Sequence, residues 1–381
     1  MSKLITVYDD NDPLNNVLSA LTLDVDEVFY VYHHEVSKIS FINIEKVINR
    51  HKNIKTNFKK LIYDTEEIQE LLDTYPDIIV DVGGAKYLSL LLFELAINSD
   101  HKIIYYDDEE NIIKNYRSHV VEADHIFCLS IEDVLTLKGG NAVENLHLAA
   151  TDEQSIDAIY ELVDTNIENY SAFVKYITKL NNIIVANKQN KISETSYRLS
   201  DKYIEDIKKD SCYKRTQALF SIHDDDLTFK TAKLKELISV SGAFLENYIY
   251  HKLVESQLFD DVKMSEVIDF SNGKSNYPVR CEVDLLVLKN NKLLFVSCKS
   301  NKIDQTDIHE IYVRDKMFGN CLSKAVVCLC EEANIKYPSM YLKAYESGVF
   351  VIDKSNILEE DFPEVFNRIF NDTYVYDSLP I

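Results

Sequence analysis

Charged and polar side chains interrupt two strongly apolar stretches in the C-terminal half of the chain. The first stretch, Arg280–Leu288, carries Asp284, and the second, Lys292–Lys299, ends with Ser297 and Lys299. An unpaired charge in an apolar core is costly, so such groups usually pair with one another or bind a metal ion. The pattern therefore favours a metal site here, with a solvated strand edge or a simple ion pair as the alternative.

Both stretches are predicted to be β-strands joined by the polar turn Lys289–Asn291. Side chains alternate across a strand, so each strand presents two distinct faces. On the first strand we expect one face to carry Cys281, Val283, Leu285 and Val287, and the other to carry Glu282, Asp284, Leu286 and Leu288. On the second strand, Ser297 and Lys299 are expected to share a face with Leu293 and Phe295.

A helix with one buried carboxylate is predicted upstream, at Ser241–Phe259. Its apolar stripe contains Ala243, Ile249, Tyr250 and Leu253. Glu246 lies three residues before Ile249 and four before Tyr250, so it falls on the same stripe. Glu255 falls on the opposite side, where a charged residue is solvated. We therefore expect the helix to direct Glu246 towards the predicted strands.

This order of helix Glu, strand Asp and Ser-x-Lys resembles the PD-(D/E)XK superfamily of restriction-endonuclease-like nucleases. The resemblance implies that Glu246, Asp284, Ser297 and Lys299 are catalytic. It implies metal ligation by Asp284, Glu246 and the backbone carbonyl of Cys298, with Lys299 orienting water or stabilising charge. Ser297 stands where the family usually has an acidic ligand, which implies weaker metal binding that Glu246 compensates. Oxygen ligands favour Mg²⁺ or Mn²⁺.

Length and charge set the broad class of the protein. The chain has 381 residues, which suggests more than one domain, and its net charge is −22. A strongly acidic chain is unusual for a protein that binds nucleic acid. The imbalance is not uniform, because residues 226–343 contain 16 basic and 16 acidic side chains. Weak, salt-sensitive binding of nucleic acid by this region is therefore compatible with the composition.

The cysteines and the N-terminal residues indicate a cytoplasmic protein. The seven cysteines are scattered and odd in number, which is typical of reduced thiols. The first residues, MSKLITVYDD, resemble neither a signal peptide nor a transit peptide. No run of 18 uncharged apolar residues is present, so we expect no membrane-spanning segment.

Strands and helices alternate through the first 140 residues, which predicts a parallel, Rossmann-like sheet with helices on both faces. The predicted strands are Lys3–Tyr8, Glu27–Tyr32, Asn57–Ile62, Asp77–Val82, Lys102–Tyr106 and His125–Leu129. After the fourth strand, Gly83 and Gly84 precede a helix that begins near Ala85. Glycines there let backbone N–H groups approach a phosphate, although a tight turn without a ligand has the same sequence.

The N-terminal region resembles a CARF domain, the sensor fold of type III CRISPR ancillary proteins. The resemblance rests on a polar loop after the first strand and a G-G-[TN]-K-like turn after the fourth. It implies that the ligand contacts Asp10, Asn11, Asp12, Gly83, Gly84, Ala85 and Lys86. Ala85 replaces the usual hydroxyl or amide residue, so one ligand hydrogen bond is expected to be missing. Such domains form homodimers that bind a cyclic oligoadenylate across the two-fold axis, most often cyclic tetra-adenylate.

Together, the two resemblances predict an α/β protein with three parts. These are a Rossmann-like CARF domain at residues 1–145, a helical connector at 146–225 and a restriction-endonuclease-like domain at 226–381. The expected function is a cyclic tetra-adenylate-activated, metal-dependent nuclease in antiviral defence. It would cut DNA, by nicking or in single strands, and RNA is the other candidate substrate. Two alternatives stay open: a nonenzymatic sensor with a degenerate nuclease domain, and a ring nuclease that degrades the activator.

Overall fold

The computed structural model describes residues 2–9, 12–83, 87–107, 110–240, 242–269, 280–300, 302–318 and 323–375. Five residues of the predicted ligand loops lie outside these ranges: Asp10, Asn11, Gly84, Ala85 and Lys86. Within the described ranges the chain is a mixed α/β protein with a seven-stranded sheet, a six-stranded sheet and a small three-stranded sheet. No helix in these ranges is long and apolar enough to cross a membrane.

The first sheet is Rossmann-like in its first five strands, as the sequence predicts. Its strands are β1 (Lys3–Val7), β2 (Glu27–Tyr32), β3 (Lys55–Lys60), β4 (Ile79–Asp81), β5 (Ile103–Asp107), β6 (Ile112–Asn115) and β7 (Val121–Ala123). The order across the sheet is β3-β2-β1-β4-β5-β6-β7. The pairs from β3 to β5 are parallel, whereas β6 and β7 add an antiparallel edge.

Four helices connect the parallel strands. They are α1 (Asn15–Thr22), α2 (Lys38–His51), α3 (Asp64–Thr74) and α4 (Tyr87–Ile97). Leu18 and Val47 of the first two helices pack in one core cluster, whereas Leu72 and Leu92 of the other two pack in another. The sheet is therefore covered on both faces, as a parallel sheet requires.

The prediction of a strand at His125–Leu129 is wrong, because these residues form no ladder. Their backbone bonds go to side chains instead. The N–H of Phe127 donates to Thr22 Oγ1 at 3.0 Å, and the N–H of Leu129 donates to Asn291 Oδ1 at 2.9 Å. Asn291 also donates through Nδ2 to the Phe127 carbonyl at 3.0 Å. This segment thus joins the first sheet to a turn of the second.

The middle of the chain is largely helical. After α5 (Ile131–Leu137) and β8 (Asn141–Asn145) come α6 (Glu153–Asn166), α7 (Tyr170–Ala186), β9 (Ser196–Arg198), α8 (Asp201–Lys208), β10 (Phe220–His223), β11 (Asp226–Phe229) and α9 (Ala232–Leu237). The three-stranded sheet has the order β10-β11-β9. Strand β8 pairs with the six-stranded sheet, across the division expected at residue 145.

The second sheet holds the predicted catalytic residues. Its remaining strands are β12 (Asp261–Asp269), β13 (Arg280–Lys289), β14 (Lys292–Lys299), β15 (Lys324–Leu329) and β16 (Val349–Ile352). Its helices are α10 (Ala243–Ser256), α11 (Gln305–Phe318), α12 (Ala333–Lys336), α13 (Pro338–Glu346), α14 (Lys354–Ile357) and α15 (Phe362–Phe370). The order is β16-β15-β14-β13-β12-β8, antiparallel from β14 to β8 and parallel from β14 to β16.

The hairpin of β13 and β14 forms where the sequence predicts it. Lys289 pairs with Lys292, which leaves Asn290 and Asn291 as a two-residue loop. Their φ angles are 49° and 60°. A two-residue hairpin loop with φ positive at both positions matches the twist of the strands, and asparagine tolerates this conformation.

Strict alternation of side chains holds on β14 but is wrong on β13. On β14 the two sets are Leu293 with Phe295, and Leu294 with Val296 and Cys298. On β13 they are Val283 with Leu286 and Leu288, and Leu285 with Val287. The pleat of β13 is therefore interrupted between Val283 and Leu285, at Asp284.

Candidate catalytic site and ligand-binding edge

Asp284 lies where the ladder between β13 and β14 ends. The last paired residues on this side are Leu285 and Val296. Beyond them, Asp284 Oδ2 accepts hydrogen bonds from the Cys298 N–H at 2.7 Å and from Ser297 Oγ at 3.2 Å. The carboxylate thus replaces the backbone partner that the next ladder bond would have supplied, and this holds it at the point where the strands separate.

Backbone geometry on the other side of Asp284 is also irregular. The register of β12 and β13 puts Ser265 opposite Asp284, between the pairs Met264–Leu285 and Glu266–Val283. Ser265 is fully buried and has φ 56°, a conformation that non-glycine residues seldom adopt. Such outliers cluster at functional sites, where the surrounding structure enforces them.

Glu246 approaches the same place from α10. Its side chain is buried, as are those of Ala243, Ile249 and Leu253 on the predicted stripe. The helix begins after Gly242, whose φ is 92°. A Cβ atom at Gly242 would lie 2.7 Å from Glu246 Oε1 and 3.3 Å from Ser300 Oγ. The missing side chain of Gly242 is therefore what leaves room for the Glu246 carboxylate.

The electrostatics confirm that these carboxylates are neighbours. Burial, followed by the negative charges of Asp284 and Glu282, raises the pKa of Glu246 well above its usual value, and Lys299 opposes the rise. Burial also raises the pKa of Asp284, against the opposing effects of the Cys298 N–H, Lys299 and Ser297. Two buried carboxyl groups that raise each other's pKa form a site whose electrostatic balance improves when a cation binds.

Lys299 lies at the end of β14, and its amine is paired. Its Nζ lies 2.9 Å from Asp307 Oδ1 in the first turn of α11. Burial alone would lower the pKa of Lys299, but the bond to Asp307 and the charges of Asp307, Asp284 and Glu310 outweigh it and raise the pKa. The lysine is therefore a fixed positive charge beside Asp284.

Two charged side chains near this centre were not in the predicted catalytic set. Glu282 is exposed, and burial of part of its surface and the charge of Asp284 raise its pKa. Arg314 of α11 lowers the pKa of both acids, so it lies close enough to act on them. Arg314 also makes the predicted pair with Glu310, with a distance of 3.8 Å between Nη2 and Oε2. The acidic alternation of β13 was the signal for Glu282.

The residues present fit a hard divalent cation with few protein ligands. Among the described residues, no three His, Cys, Asp or Glu side chains lie close enough to hold an ion. Two carboxylates remain, Glu246 and Asp284. The N–H of Cys298 points at Asp284, and in an extended strand the carbonyl of the same residue points to the same side. Two carboxylates, one carbonyl and several waters form a donor set typical of Mg²⁺.

The second candidate site lies at the carboxyl edge of the first sheet. Strands β1 and β4 are parallel neighbours, so the loops that follow them lie at the same edge. The N–H of Gly83 donates to Asp81 Oδ1 at 3.0 Å, and its carbonyl accepts from Ser89 Oγ at 3.2 Å. The turn after β4 is thus held on both sides of Gly83.

Asp81 is a residue that the sequence analysis missed. Its side chain is only 3% exposed. Burial raises its pKa, and hydrogen bonds from Ser19, the Gly83 N–H and Thr6 oppose that rise. It therefore ties the β4 turn to α1 and to β1. The signal available was an acidic residue at the end of the apolar run DIIVD.

The loop after β1 is held by an asparagine. Asn16 Oδ1 accepts from the Asp9 N–H at 2.9 Å, and Asn16 Nδ2 donates to the Asp9 carbonyl at 2.7 Å. Asp12 is buried, and its Oδ2 accepts from Asn15 Nδ2 at 2.7 Å. Of the seven predicted ligand contacts, Asp12 and Gly83 are the ones in the described residues, and both lie at this edge. The other five fall outside the described ranges.

Comparison with known proteins supports this arrangement. Residues 235–328 match the family described as "Card1-like, endonuclease domain". No curated protein sequence matches the chain. The matched segment contains Glu246, Asp284, Ser297 and Lys299, so the candidate catalytic site lies inside an endonuclease domain.

Two solved structures have the same fold over nearly the whole chain. Protein VC1899 from Vibrio cholerae has a TM-score of 0.79 at 16% identity, covering 98% of this chain and 99% of that one. Can2 from Sulfobacillus thermosulfidooxidans, solved with cyclic tetra-adenylate, has a TM-score of 0.66 at 17% identity, covering 97% of each chain. The predicted two-domain α/β architecture and the resemblance to CARF-domain nucleases are confirmed.

Proposed function

Because this chain carries a Card1-like endonuclease domain, we propose that it is a metal-dependent endonuclease activated by a cyclic oligoadenylate, cyclic tetra-adenylate in particular. The observation that carries the proposal is the meeting of Glu246, Asp284 and Lys299 at the end of the β13–β14 ladder, inside the matched domain. This is the arrangement that the PD-(D/E)XK resemblance implies.

Each residue of the site has a role in this reaction. Glu246, Asp284 and the Cys298 carbonyl hold Mg²⁺ or Mn²⁺, and Ser297 orients Asp284 through its hydroxyl. When bound, the cation polarises the phosphate and supplies a nucleophilic water at neutral pH. Lys299 offsets the negative charge that develops on the phosphate, and Asp307 holds the amine in place.

The activator binds at the carboxyl edge of the first sheet. Support comes from the fold shared with Can2, which was solved with cyclic tetra-adenylate, and from the fixed backbone of Gly83 beside Asp12. Under this proposal, residues 1–145 are the sensor, 146–225 the connector and 226–381 the nuclease. Ligand changes the activity through different affinities for the inactive and active states.

A homodimer is part of the proposal, since a ring of four identical nucleotides suits a two-fold axis. Exposed apolar side chains at the same edge support this assignment. Ile62 and Tyr63 follow β3, and Tyr87 and Leu90 begin α4, with exposed fractions of 63–77%. A cluster of this kind marks an interaction surface more often than a solvated face.

The proposed substrate is nucleic acid in type III CRISPR antiviral defence, cut without sequence preference. DNA, nicked or single-stranded, is the primary candidate, and RNA is the second. The balanced charge of residues 226–343 supports contact with phosphates in this half of a chain whose net charge is −22.

A nonenzymatic regulator is the competing function, and one observation favours it. Ser297 occupies the usual acidic position and is buried beneath Asp284, so one carboxylate ligand is missing. Glu246 compensates in our proposal because its buried carboxyl group is next to Asp284 and Gly242 leaves space for it.

Cleavage assays test the proposal. Purified protein is incubated with Mn²⁺ or Mg²⁺ and with supercoiled plasmid, single-stranded DNA or single-stranded RNA, with and without cyclic tetra-adenylate. We expect cutting that requires both the cation and the activator, and the substrate that is cut identifies the nucleic acid. Binding of the activator without any cutting would favour the regulator.

A further inference from the structure

A groove runs between α7 and α9 and leads to the candidate catalytic site. It consists of two adjoining cavities of about 130 Å³ and about 550 Å³. Asn181, Ile238 and Ser239 line both cavities, which makes them one continuous groove. The smaller cavity ends at Gly242, the residue against Glu246 Oε1. We call this feature the α7 groove.

The inner cavity is shaped for one flat, largely apolar group. Its walls include the side chains of Tyr170, Phe173, Ile177 and Phe244. Tyr170 is 1% exposed, and its hydroxyl makes no hydrogen bond of normal geometry, although the Leu245 N–H is near. A cavity of about 150 Å³ is enough to hold benzene, so this one accommodates a single ring system. Tyr170 offers that ring a buried polar partner.

The outer cavity carries positive charge without acidic partners. Lys188 and Lys235 line it, and neither makes an ion pair with another described residue. Lys235 instead lies 5.8 Å from the centre of the Tyr197 ring. Val185, on the same wall, is 63% exposed. Unpaired lysines beside exposed apolar surface are uncommon in a chain with a net charge of −22, and together they fit a phosphate backbone with attached bases.

We propose that the α7 groove binds a single strand of the nucleic acid substrate, with Lys188 and Lys235 on its phosphates and one unpaired base in the inner cavity beside Glu246. The proposal rests on the proposed nuclease function, because it places the strand relative to that catalytic site. A duplex does not fit, since the inner cavity has room for one ring system and its bases would remain paired. DNA and RNA share the chemistry that the groove recognises.

Binding measured without catalysis tests the groove. The full-length protein with cyclic tetra-adenylate, in EDTA to prevent cleavage, is titrated into a labelled 12-nucleotide single strand, as DNA and as RNA, and into the duplex of the same sequence. We expect tighter binding of a single strand than of the duplex. Lys188→Ala with Lys235→Ala is expected to weaken single-strand binding roughly tenfold at 100 mM salt and to lower the salt slope by about 1.4, for two lost phosphate contacts.

A matched charge change elsewhere provides the control. Lys38 and Lys46 of α2 are also exposed and have no acidic partner among the described residues, and Lys38→Ala with Lys46→Ala is expected to bind as the wild type does. Ser239→Trp, at the exposed junction of the two cavities, is expected to weaken binding without any change of charge. These variants alter surface positions, so thermal unfolding near the wild-type Tm verifies that they fold.

Several outcomes would overturn the groove. They are equal binding by the lysine variant and the wild type, duplex binding as tight as single-strand binding, or no binding of any strand in EDTA. Failure of the nuclease proposal looks different. Single-strand binding that needs Lys188 and Lys235, together with no cutting in Mn²⁺ and cyclic tetra-adenylate, would support the groove and contradict the proposed activity.

Discussion

Lys299 Nζ lies 2.9 Å from Asp307 Oδ1, so the amine next to the candidate cation site is held by the first turn of α11. The other oxygen of Asp307 accepts from the Asp304 N–H at 2.8 Å, and Asp304 Oδ1 accepts from the Asp307 N–H at 3.2 Å. This reciprocal pattern is a capping box. The helix terminus and the position of Lys299 are therefore parts of one arrangement.

Asp307→Asn is expected to lower kcat about tenfold with little change in KM, because it loosens a charge that acts on the transition state. The Asp307 carboxylate raises the pKa of Lys299. Without it the pKa falls, so the lysine loses its charge at a lower pH, and the loss of activity at high pH begins earlier. A pH profile of kcat measures both effects. Asp304→Ala disrupts the same cap but leaves the Lys299 partner, and an equal shift in that variant would refute the assignment.

Glu246→Gln is expected to stabilise the cation-free protein and to abolish its response to Mn²⁺. Burial and the charge of Asp284 disfavour the ionised carboxyl group, so an amide of the same size relieves an unfavourable interaction. A gain of ~1 kcal/mol corresponds to a Tm increase of roughly 2–4 °C. Thermal unfolding with and without Mn²⁺ measures both. Glu255→Gln, on the exposed side of α10, should behave as the wild type; a Mn²⁺-dependent Tm increase in Glu246→Gln would exclude Glu246 as a ligand.

Gly242→Ala is expected to remove activity, because the new Cβ would lie 2.7 Å from Glu246 Oε1. It also costs about 1–2 kcal/mol, since φ is 92°. Gly348→Ala separates the two effects: φ there is 70°, and no atom lies within 4 Å of the added Cβ. Both variants should lose similar stability in urea unfolding, and only Gly242→Ala should lose cleavage. Equal activity of the two would show that the space beside Glu246 is not needed.

Asp81→Ala is expected to raise the activator concentration for half-maximal cleavage about tenfold, while cleavage at saturating activator stays near the wild-type rate. Its carboxyl group fixes the Gly83 N–H, Ser19 and Thr6 at the ligand edge, far along the chain from the catalytic residues. A titration of cyclic tetra-adenylate in the cleavage assay provides this measurement. Glu122→Gln on β7 is the control, and an unchanged activator requirement in Asp81→Ala would remove Asp81 from the sensor.

The sequence predicts elements whose signals are local. The β13–β14 hairpin is an example, because Asn290 and Asn291 encode the turn and the apolar runs encode the strands. The stripe of α10 similarly predicts that Glu246 is buried. Both follow from periodicity over a few residues.

Features that depend on distant partners were not predictable in this way. The segment 125–129 is apolar and extended, but Asn291 and Thr22 take its backbone bonds, so no ladder forms. The reversal of faces at Asp284 depends on Ser265 of the neighbouring strand. The pair of Lys299 and Asp307 depends on where α11 begins, which no short motif specifies.

Activator-dependent cleavage by Lys299→Ala, compared with Lys302→Ala, tests the central claim most directly. Lys302 is an exposed lysine three residues away and serves as the matched control. With Mn²⁺ and cyclic tetra-adenylate, the account predicts that the wild type and Lys302→Ala cut the substrate, that Lys299→Ala is at least a hundredfold slower, and that none cuts without the activator. Cutting by Lys299→Ala at the wild-type rate, or cutting by the wild type that is independent of the activator, would contradict it.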